Sequence, residues 1–467
     1  MNAEQSLVRF AHDLQLEDVP DEVVFRMKCS ILDVLAAALA GTAAEGIGPL
    51  VEVVTGWGGA PEASIFGYQT RVPVPLAALA NATIARALEL DDVHEKALLH
   101  PTVSVVPLAL GISEARGGVS GREFLASVIA AEEITCRLGL SPEYYVAGDK
   151  HQPRGWSYTY QCGILGGTIA AARLLGLDED SLLSAVGNAY SSLAGNQQAV
   201  QEGVLAIRVQ QGLCAQTAAQ SAYLALAGLS GPHGFLEGMF GWLSFWQGGR
   251  YDRAILLDDL GRRWEVGNIS LKYYPCCKLM HTTVAALCEA MGKVDFRPHD
   301  VRRATVHVAS QESWDEVVQP VEQRRRPKNA IQAQFSLPYV AAVTLVRGTV
   351  SLDDFAPDAL GNPDVLNMAQ RVEPVMDDAQ GVLLGRALPV PSEVEIELND
   401  GRVVAGKCEL PRGHPDNPMS WEEVRAKLLD CASWARRYER GRTEAIAHAV
   451  AELEQLQDMT ELSRLLS

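Results

Sequence analysis

Apolar residues recur at helical spacing across most of the first 265 positions. Residues 4–40 read as two amphipathic helices. The second contains the run Ile31-Leu-Asp-Val-Leu-Ala-Ala-Ala-Leu-Ala40, and Gly41 is placed to end it. Helical patterns continue over 75–90, 103–116, 121–138, 160–175, 179–193 and 209–228, with few strand signals among them. One of these segments, Gly163-Ile-Leu-Gly166-Gly167-Thr-Ile-Ala-Ala-Ala172, is built from small residues. Its glycines cost helix propensity, which close packing in the centre of a bundle would offset.

The texture changes after about residue 266. Arg303-Ala-Thr-Val-His-Val-Ala309 alternates as a strand does, and so does Glu393-Val-Glu-Ile-Glu-Leu398. Asn399-Asp-Gly401 is a hairpin turn signal leading to Arg402-Val-Val-Ala405. Helical stretches lie at about 335–347 and 362–371, and the pattern is helical again from Ser420. The expected fold is mainly α. A large all-helical domain would span 1–266, a smaller inserted α+β lid domain 267–413, and C-terminal helices 414–467 would return to the large domain.

Composition narrows the function classes. With 467 residues the chain can bury a sizeable core. Aromatics make up only 6% of it, and Ala and Leu dominate. A net charge of −18 disfavours nucleic acid and anionic membrane as partners. An anionic substrate then needs a local cationic pocket. The polar start Met1-Asn-Ala-Glu-Gln-Ser6 has no apolar signal region, and no run is long enough to cross a membrane. The nine cysteines follow no framework spacing, which reads as reduced thiols in a cytoplasmic protein.

Three segments concentrate chemistry. Glu89-Leu-Asp91-Asp92-Val-His94-Glu95 with His100-Pro101 places four acids and two imidazoles within a dozen residues, directly after an apolar, Ala-rich helix. Such a cluster costs free energy unless something compensates it, as a polar cleft would. A solvated helix end is the plain alternative. The second segment is His151-Gln-Pro-Arg154-Gly155-Trp156-Ser157-Tyr158-Thr159-Tyr160. Here Ser157 suits a helix N-cap, and Arg154 offers a fork for a carboxylate. The third is Asn268-Ile-Ser-Leu-Lys272-Tyr-Tyr-Pro-Cys276-Cys277-Lys278-Leu-Met-His281. Lys272 lies at the expected domain boundary, where desolvation would lower its pKa into the range of a general base. No phosphate loop, dinucleotide fingerprint, nucleophile elbow or zinc spacing occurs, so chemistry without cofactor or metal is the simpler expectation.

Taken together, these segments resemble the MmgE/PrpD family, whose activities include 2-methylcitrate dehydratase, cis-aconitate decarboxylase and iminodisuccinate epimerase. The resemblance also runs through Gln334-Phe-Ser-Leu-Pro-Tyr339 and Gly413-His-Pro-Asp-Asn-Pro418 and covers nearly the whole chain. It implies a homodimer with a cofactor-free site between an all-α domain and an α+β lid. It matches Asp91, His100, Arg154, Lys272, His281 and Tyr339 to active-site positions. Two positions depart from it. Family decarboxylases and dehydratases typically carry histidine where this chain has Ser157. They tend to carry Lys-x-x-His-x-Gly where it reads Ile207-Arg208-Val-Gln210-Gln-Gly212.

The step common to the resembling enzymes handles a proton on carbon beside a carboxylate or carbonyl. Lys272 is the expected base, with His100 and Asp91 in the site. Tyr145, His151 and Tyr158 are candidates for a second acid or base. Arg154, Arg208, Ser157, Gln210, His281 and Tyr339 are expected to bind a small anionic carboxylate substrate, and Arg137 is a further cation with a structural role as its alternative. With a histidine missing, the leading expectation is a two-base epimerase of a small dicarboxylate, similar to iminodisuccinate epimerase. The alternative is a lyase of the 2-methylcitrate dehydratase or cis-aconitate decarboxylase type. A non-catalytic helical scaffold is the remote third reading.

Overall fold

The computed structural model describes residues 2–143, 155–376 and 390–467. It is mainly helical, with a four-stranded sheet in its second half. The principal helices are α1 (Ala3–Asp13), α2 (Asp21–Gly41), α3 (Ile47–Trp57), α4 (Val74–Arg86), α5 (Thr102–Arg116), α6 (Gly121–Leu140), α7 (Tyr158–Leu174), α8 (Glu179–Tyr190), α9 (Ala206–Leu226), α10 (His281–Met291), α11 (Leu337–Arg347), α12 (Trp421–Ala435) and α13 (Arg440–Ala451). The helix α3 has no counterpart in the periodicity analysis. Its glycine, proline and threonine blur the pattern.

Side-chain packing separates two hydrophobic cores. The first gathers α1 to α9 together with α12 and α13, so the C-terminal helices pack against residues from the other end of the chain. In its centre α7 lies against α6 and α9. A Cβ on Gly166 would fall 1.8 Å from Thr135 Oγ1 on α6. The small-residue stretch is thus explained by two helices in near backbone contact.

The second core is built on the sheet of β1 (Val301–Val308), β2 (Val372–Met376), β3 (Ser392–Leu398) and β4 (Val403–Cys408). The strand order is β2-β1-β3-β4. The edge strand β2 runs parallel to β1, with Ala304 opposite Val372, while β1, β3 and β4 are antiparallel neighbours. Burial alternates along β3, as its sequence predicts, and Gly401 takes φ of 89° in the turn to β4. The helices α10 and α11 cover the sheet.

One largely buried lysine joins segments that are far apart in the chain. Lys427 on α12 donates to Asp33 on α2 at 2.6 Å and to the carbonyls of Leu90 and Lys272 at 2.8 Å each. Asp33 is fully buried, so removing its cation strands a charge. Lys427→Met is expected to lower the unfolding free energy by about 3–5 kcal/mol in a denaturant titration. Lys427→Met with Asp33→Leu is expected to recover most of that loss, because no unpaired charge then remains.

Candidate active site

The helix α4 is buried up to its last residue, Arg86. A guanidinium at that depth must be paired, and the next turns of chain supply the partners. Arg86 pairs with Glu89 and lies 3.0 Å from Asp91 Oδ1. Glu89 has φ of 53°, a left-handed conformation that costs a non-glycine residue roughly 1 kcal/mol. Lys272 Nζ donates to Glu89 Oε2 at 2.9 Å and stands 4.0 Å from Asp91 Oδ1. Two cations and two carboxylates therefore neutralise one another inside the protein. Burial pushes the Glu89 and Asp91 carboxyls up, but the adjacent cations outweigh it and hold both below their ordinary values.

His100 closes this network on one side. Its Nδ1 lies 2.7 Å from the Asp92 carbonyl and 2.9 Å from Asp91 Oδ2. Both neighbours are acceptors, so Nδ1 carries the proton and Nε2 is the free nitrogen. The side chain retains 18% exposure, the most of any member of the cluster. Burial lowers the His100 pKa more than Asp91 raises it, which leaves a neutral imidazole. The His100 backbone N–H donates to Thr159 Oγ1 at 3.1 Å and fixes the residue to the start of α7.

The Lys272 segment is held by the other sequence motifs. Val93 and Ser270 exchange backbone hydrogen bonds of 2.9 and 2.7 Å. Leu271 N donates to the Gly413 carbonyl at 2.9 Å, and a Cβ on Gly413 would meet the Leu271 carbonyl at 2.2 Å. Gln334 Nε2 donates to the carbonyls of Leu88 and Pro275. The segments Gln334–Tyr339 and Gly413–Pro418 are therefore braces for the charged cluster.

These contacts correct the expected role of Lys272. Its burial is complete, and burial alone pushes its pKa down. Glu89 and Asp91 more than reverse that effect, so the net shift is upward and the side chain is an ammonium ion rather than a base. The lysine whose pKa burial does lower is Lys278, which donates to the Leu271 carbonyl at 3.1 Å and lies 3.6 Å from Glu95 Oε1.

A cavity of about 640 Å³ opens above the cluster, lined by residues of both cores. Arg86, Glu89, His100 and Lys272 line it from the acidic and lysine segments. Gly155 to Thr159 line it at the start of α7, where Ser157 Oγ accepts the Tyr160 N–H as the N-cap. Tyr158 lines it with its hydroxyl donated to Gln247 Oε1 at 3.0 Å, and Gln210 lines it with Oε1 accepting the Asn196 N–H. Cys277, Lys278 and Glu316 lie on the wall nearer the sheet.

Other expected residues fall elsewhere. The Arg208 guanidinium is buried and donates to the Glu45 carbonyl at 2.8 Å, so it is a structural cation and not a substrate fork. The Tyr339 hydroxyl donates to the Asp354 carbonyl at 2.8 Å inside the second core. His281 is fully buried against Tyr274, with Nε2 near the Cys276 carbonyl, and does not reach the cavity. Asp91 has no exposed surface and acts through His100, Arg86 and Lys272. Arg137 is paired with Glu133 at 2.6 Å and bonds the carbonyls of Ile255, Asp258 and Arg263, which is a structural role. Tyr145, His151 and Arg154 lie outside the described residues. No cluster of metal-ligating side chains occurs among the described residues.

Comparison with known proteins now bears on this geometry. The model of the MmgE/PrpD N-terminal domain matches residues 5–253, and that of the C-terminal domain matches 274–455. The chain belongs to the MmgE/PrpD family. A cis-aconitate decarboxylase of Aspergillus terreus is 30% identical, over 99% of this chain and 95% of the relative. The cis-aconitate decarboxylase-like protein oryM of Aspergillus oryzae is 28% identical, over 100% of this chain and 97% of the relative. A cis-aconitate decarboxylase of Mus musculus is 25% identical, over 99% and 93%.

Within this MmgE/PrpD chain the two departures sit on the cavity wall. Ser157 is spent on its helix cap, and Ile207 belongs to the second core. Sequence reading named Glu89 within the acidic cluster but missed Arg86, Lys278, Glu316 and an amide-rich wall that includes Gln197, Gln198, Gln201 and Gln211. The runs Asn196-Gln-Gln198 and Gln210-Gln211 were a visible signal for that wall. Glu316 carried none, because in Glu312-Ser-Trp-Asp315-Glu316 it reads as one of several surface acids.

Two further buried acids, Glu132 and Asp92, are alike in having their pKa values raised by burial. Glu132 on α6 is buried with both carboxyl oxygens unpartnered, and Asp92 Oδ2 is likewise unpartnered. Burial first, and then their mutual repulsion, raises the Glu132 pKa well above its ordinary 4.5. The folded state therefore holds a proton that the unfolded state releases. Stability from this group is complete below the ordinary carboxylate range and is lost as pH rises toward the raised folded value. Glu132→Gln removes that titration. Urea titrations at about pH 5 and about pH 8 are expected to show the variant gaining on the wild type as pH rises. An equal difference at both values would contradict a neutral Glu132.

Proposed function

We propose that the chain is a lyase acting on a small polycarboxylate, with decarboxylation of a cis-aconitate-like substrate as its reaction. The observation that carries this reading is the state of Lys272. An epimerase of the expected kind needs a neutral lysine to take a proton from carbon. Here Glu89 and Asp91 favour the charged form. A fixed positive charge under the cavity suits a different task. It stabilises the electron pair left on carbon when carbon dioxide departs, which needs no base. The full-length similarity to cis-aconitate decarboxylases supports the same choice.

In this reading the substrate enters above Arg86 and Lys272 and shares those cations with Glu89 and Asp91. His100 offers Nε2 to the substrate. Bringing a polycarboxylate beside a neutral imidazole raises the affinity of that imidazole for a proton, so substrate and proton bind together. The α7 N-terminus lines the cavity, and the positive end of its helix dipole favours an anion there. The amide-rich wall supplies neutral donors to further substrate oxygens.

The test is turnover of cis-aconitate, 2-methylcitrate, citrate and iminodisuccinate, followed by carbon dioxide release and by proton NMR in deuterated water. Carbon dioxide from cis-aconitate is expected, with one solvent deuteron fixed in the product. Inversion of iminodisuccinate without any elimination would instead favour the epimerase. Lys272→Met is expected to reduce kcat/KM by about 10²–10³ through loss of the fixed charge.

A further inference from the structure

Decarboxylation leaves a carbanion that must be protonated, and the cavity offers the His100 imidazole, once it has bound a proton with the substrate, and a small set of acids. Ser157 and Thr159 offer hydroxyls, which are far too weakly acidic. Glu89 is paired with Arg86 and Lys272, and Glu95 accepts from Ser270 and lies near Lys278. Asp315 accepts from Gln311 at 2.8 Å.

Glu316 differs from these acids. It stands in a single π-helical turn, Trp314–Val318, a local irregularity frequent at functional sites. Its carboxyl forms no ion pair among the described residues. Its one recorded side-chain partner is the thiol of Cys277, with Sγ 3.9 Å from Oε1. Both side chains line the cavity. Arg324, the nearest cation on its own side, spends its Nη2 on the Glu316 carbonyl at 2.6 Å and its Nε on the Gln319 carbonyl at 3.1 Å.

We propose that Glu316 is the proton donor of this site, delivering its carboxyl proton to the allylic carbanion that remains when carbon dioxide has left. This rests on the lyase reading above. In the step, the bond between carbon and the departing carboxylate breaks, and its electron pair shifts into the adjacent unsaturated system. The pair displaced from the double bond forms a new C–H bond at the far carbon of that system with the Glu316 proton. The glutamate is left ionised and recovers a proton from water, so the overall change is substrate plus one proton giving product plus carbon dioxide.

The surroundings of Glu316 agree with a group poised in this way. Burial is the main influence and Glu89 adds to it, while Arg324, Arg86 and the Cys277 thiol act in the opposite direction. The carboxyl is pushed up to about 7. The Cys277 thiol is itself driven well above its usual range, chiefly by burial, and stays protonated as a donor. Cys277 is accordingly a positioning residue for Glu316.

Two measurements test the assignment, one of them independent of turnover. In steady-state kinetics on cis-aconitate, a required acid makes kcat fall as pH rises past about 7, where Glu316 loses its proton. Glu316→Gln is expected to lower kcat by about 10²–10³ with little change in KM, and to abolish that alkaline limb. Glu316→Asp is expected to restore part of the rate and the limb with it. A Glu316→Gln variant with wild-type kcat, or with an intact alkaline limb, overturns the proposal.

The second measurement is calorimetric binding of tricarballylate, a saturated unreactive tricarboxylate, in buffers of different ionisation enthalpy. Above neutral pH the wild type is expected to take up a proton on binding, because the anion favours the neutral form of Glu316. Glu316→Gln is expected to take up less. Binding with identical proton uptake in both proteins overturns the donor assignment alone. Absence of both turnover and tricarballylate binding overturns the polycarboxylate reading and the assignment with it.

Discussion

The buried network of Arg86, Glu89, Asp91 and Lys272 is the constraint around which the rest of the molecule is arranged. Four charges lie at or below 6% side-chain exposure. None tolerates that depth alone, because an unpaired buried charge costs several kcal/mol. Each satisfies another, and they come from separate parts of the chain: the end of α4, the turn after it, and a segment more than 180 residues later. Their pairing therefore fixes the register of those segments. The left-handed backbone at Glu89 is a local cost met by that pairing.

Such a network adds little net stability compared with apolar packing of equal volume, but it is costly to break. Its value here is positional. It sets His100 at the cavity edge with one nitrogen bound inward and the other directed outward. It also places two paired cations on the cavity wall in a chain whose overall charge is −18. Lys427 and the Gly413 turn reinforce the same point from behind, through backbone carbonyls of Leu90, Lys272 and Leu271. Groups consumed in this internal pairing are not available for proton transfer. The chemistry passes to those left facing the cavity, which are the His100 imidazole and the Glu316 carboxyl.

Much of this organisation was legible in the residues. Periodicity located α1, α2, α4 to α9, α11 and the antiparallel strands, because each has one apolar face or a clear alternation. The turn at Asn399-Asp-Gly401 and the N-cap at Ser157 followed from local chemistry. Asp91, His100 and Lys272 were identified as belonging together. The strand β2 went unseen because five residues containing a proline carry too little pattern. Arg208, His281 and Tyr339 were misplaced because a charged or polar residue near a motif looks the same whether it faces a cavity or a carbonyl.

The sequence alone determined which segments are helical, where the texture changes, that an anion would need a local cationic site, and the family. These properties depend on neighbours within a few residues or on composition. Only the tertiary structure decided the charge state of Lys272, the inward turn of Arg208 and the partial burial of Glu316 on the cavity wall. A pKa depends on burial and on charges that approach across long stretches of chain, such as Glu89 on Lys272, and no spacing within a single segment records that distance. The same residue that reads as a desolvated base in isolation becomes a fixed cation once its carboxylates arrive.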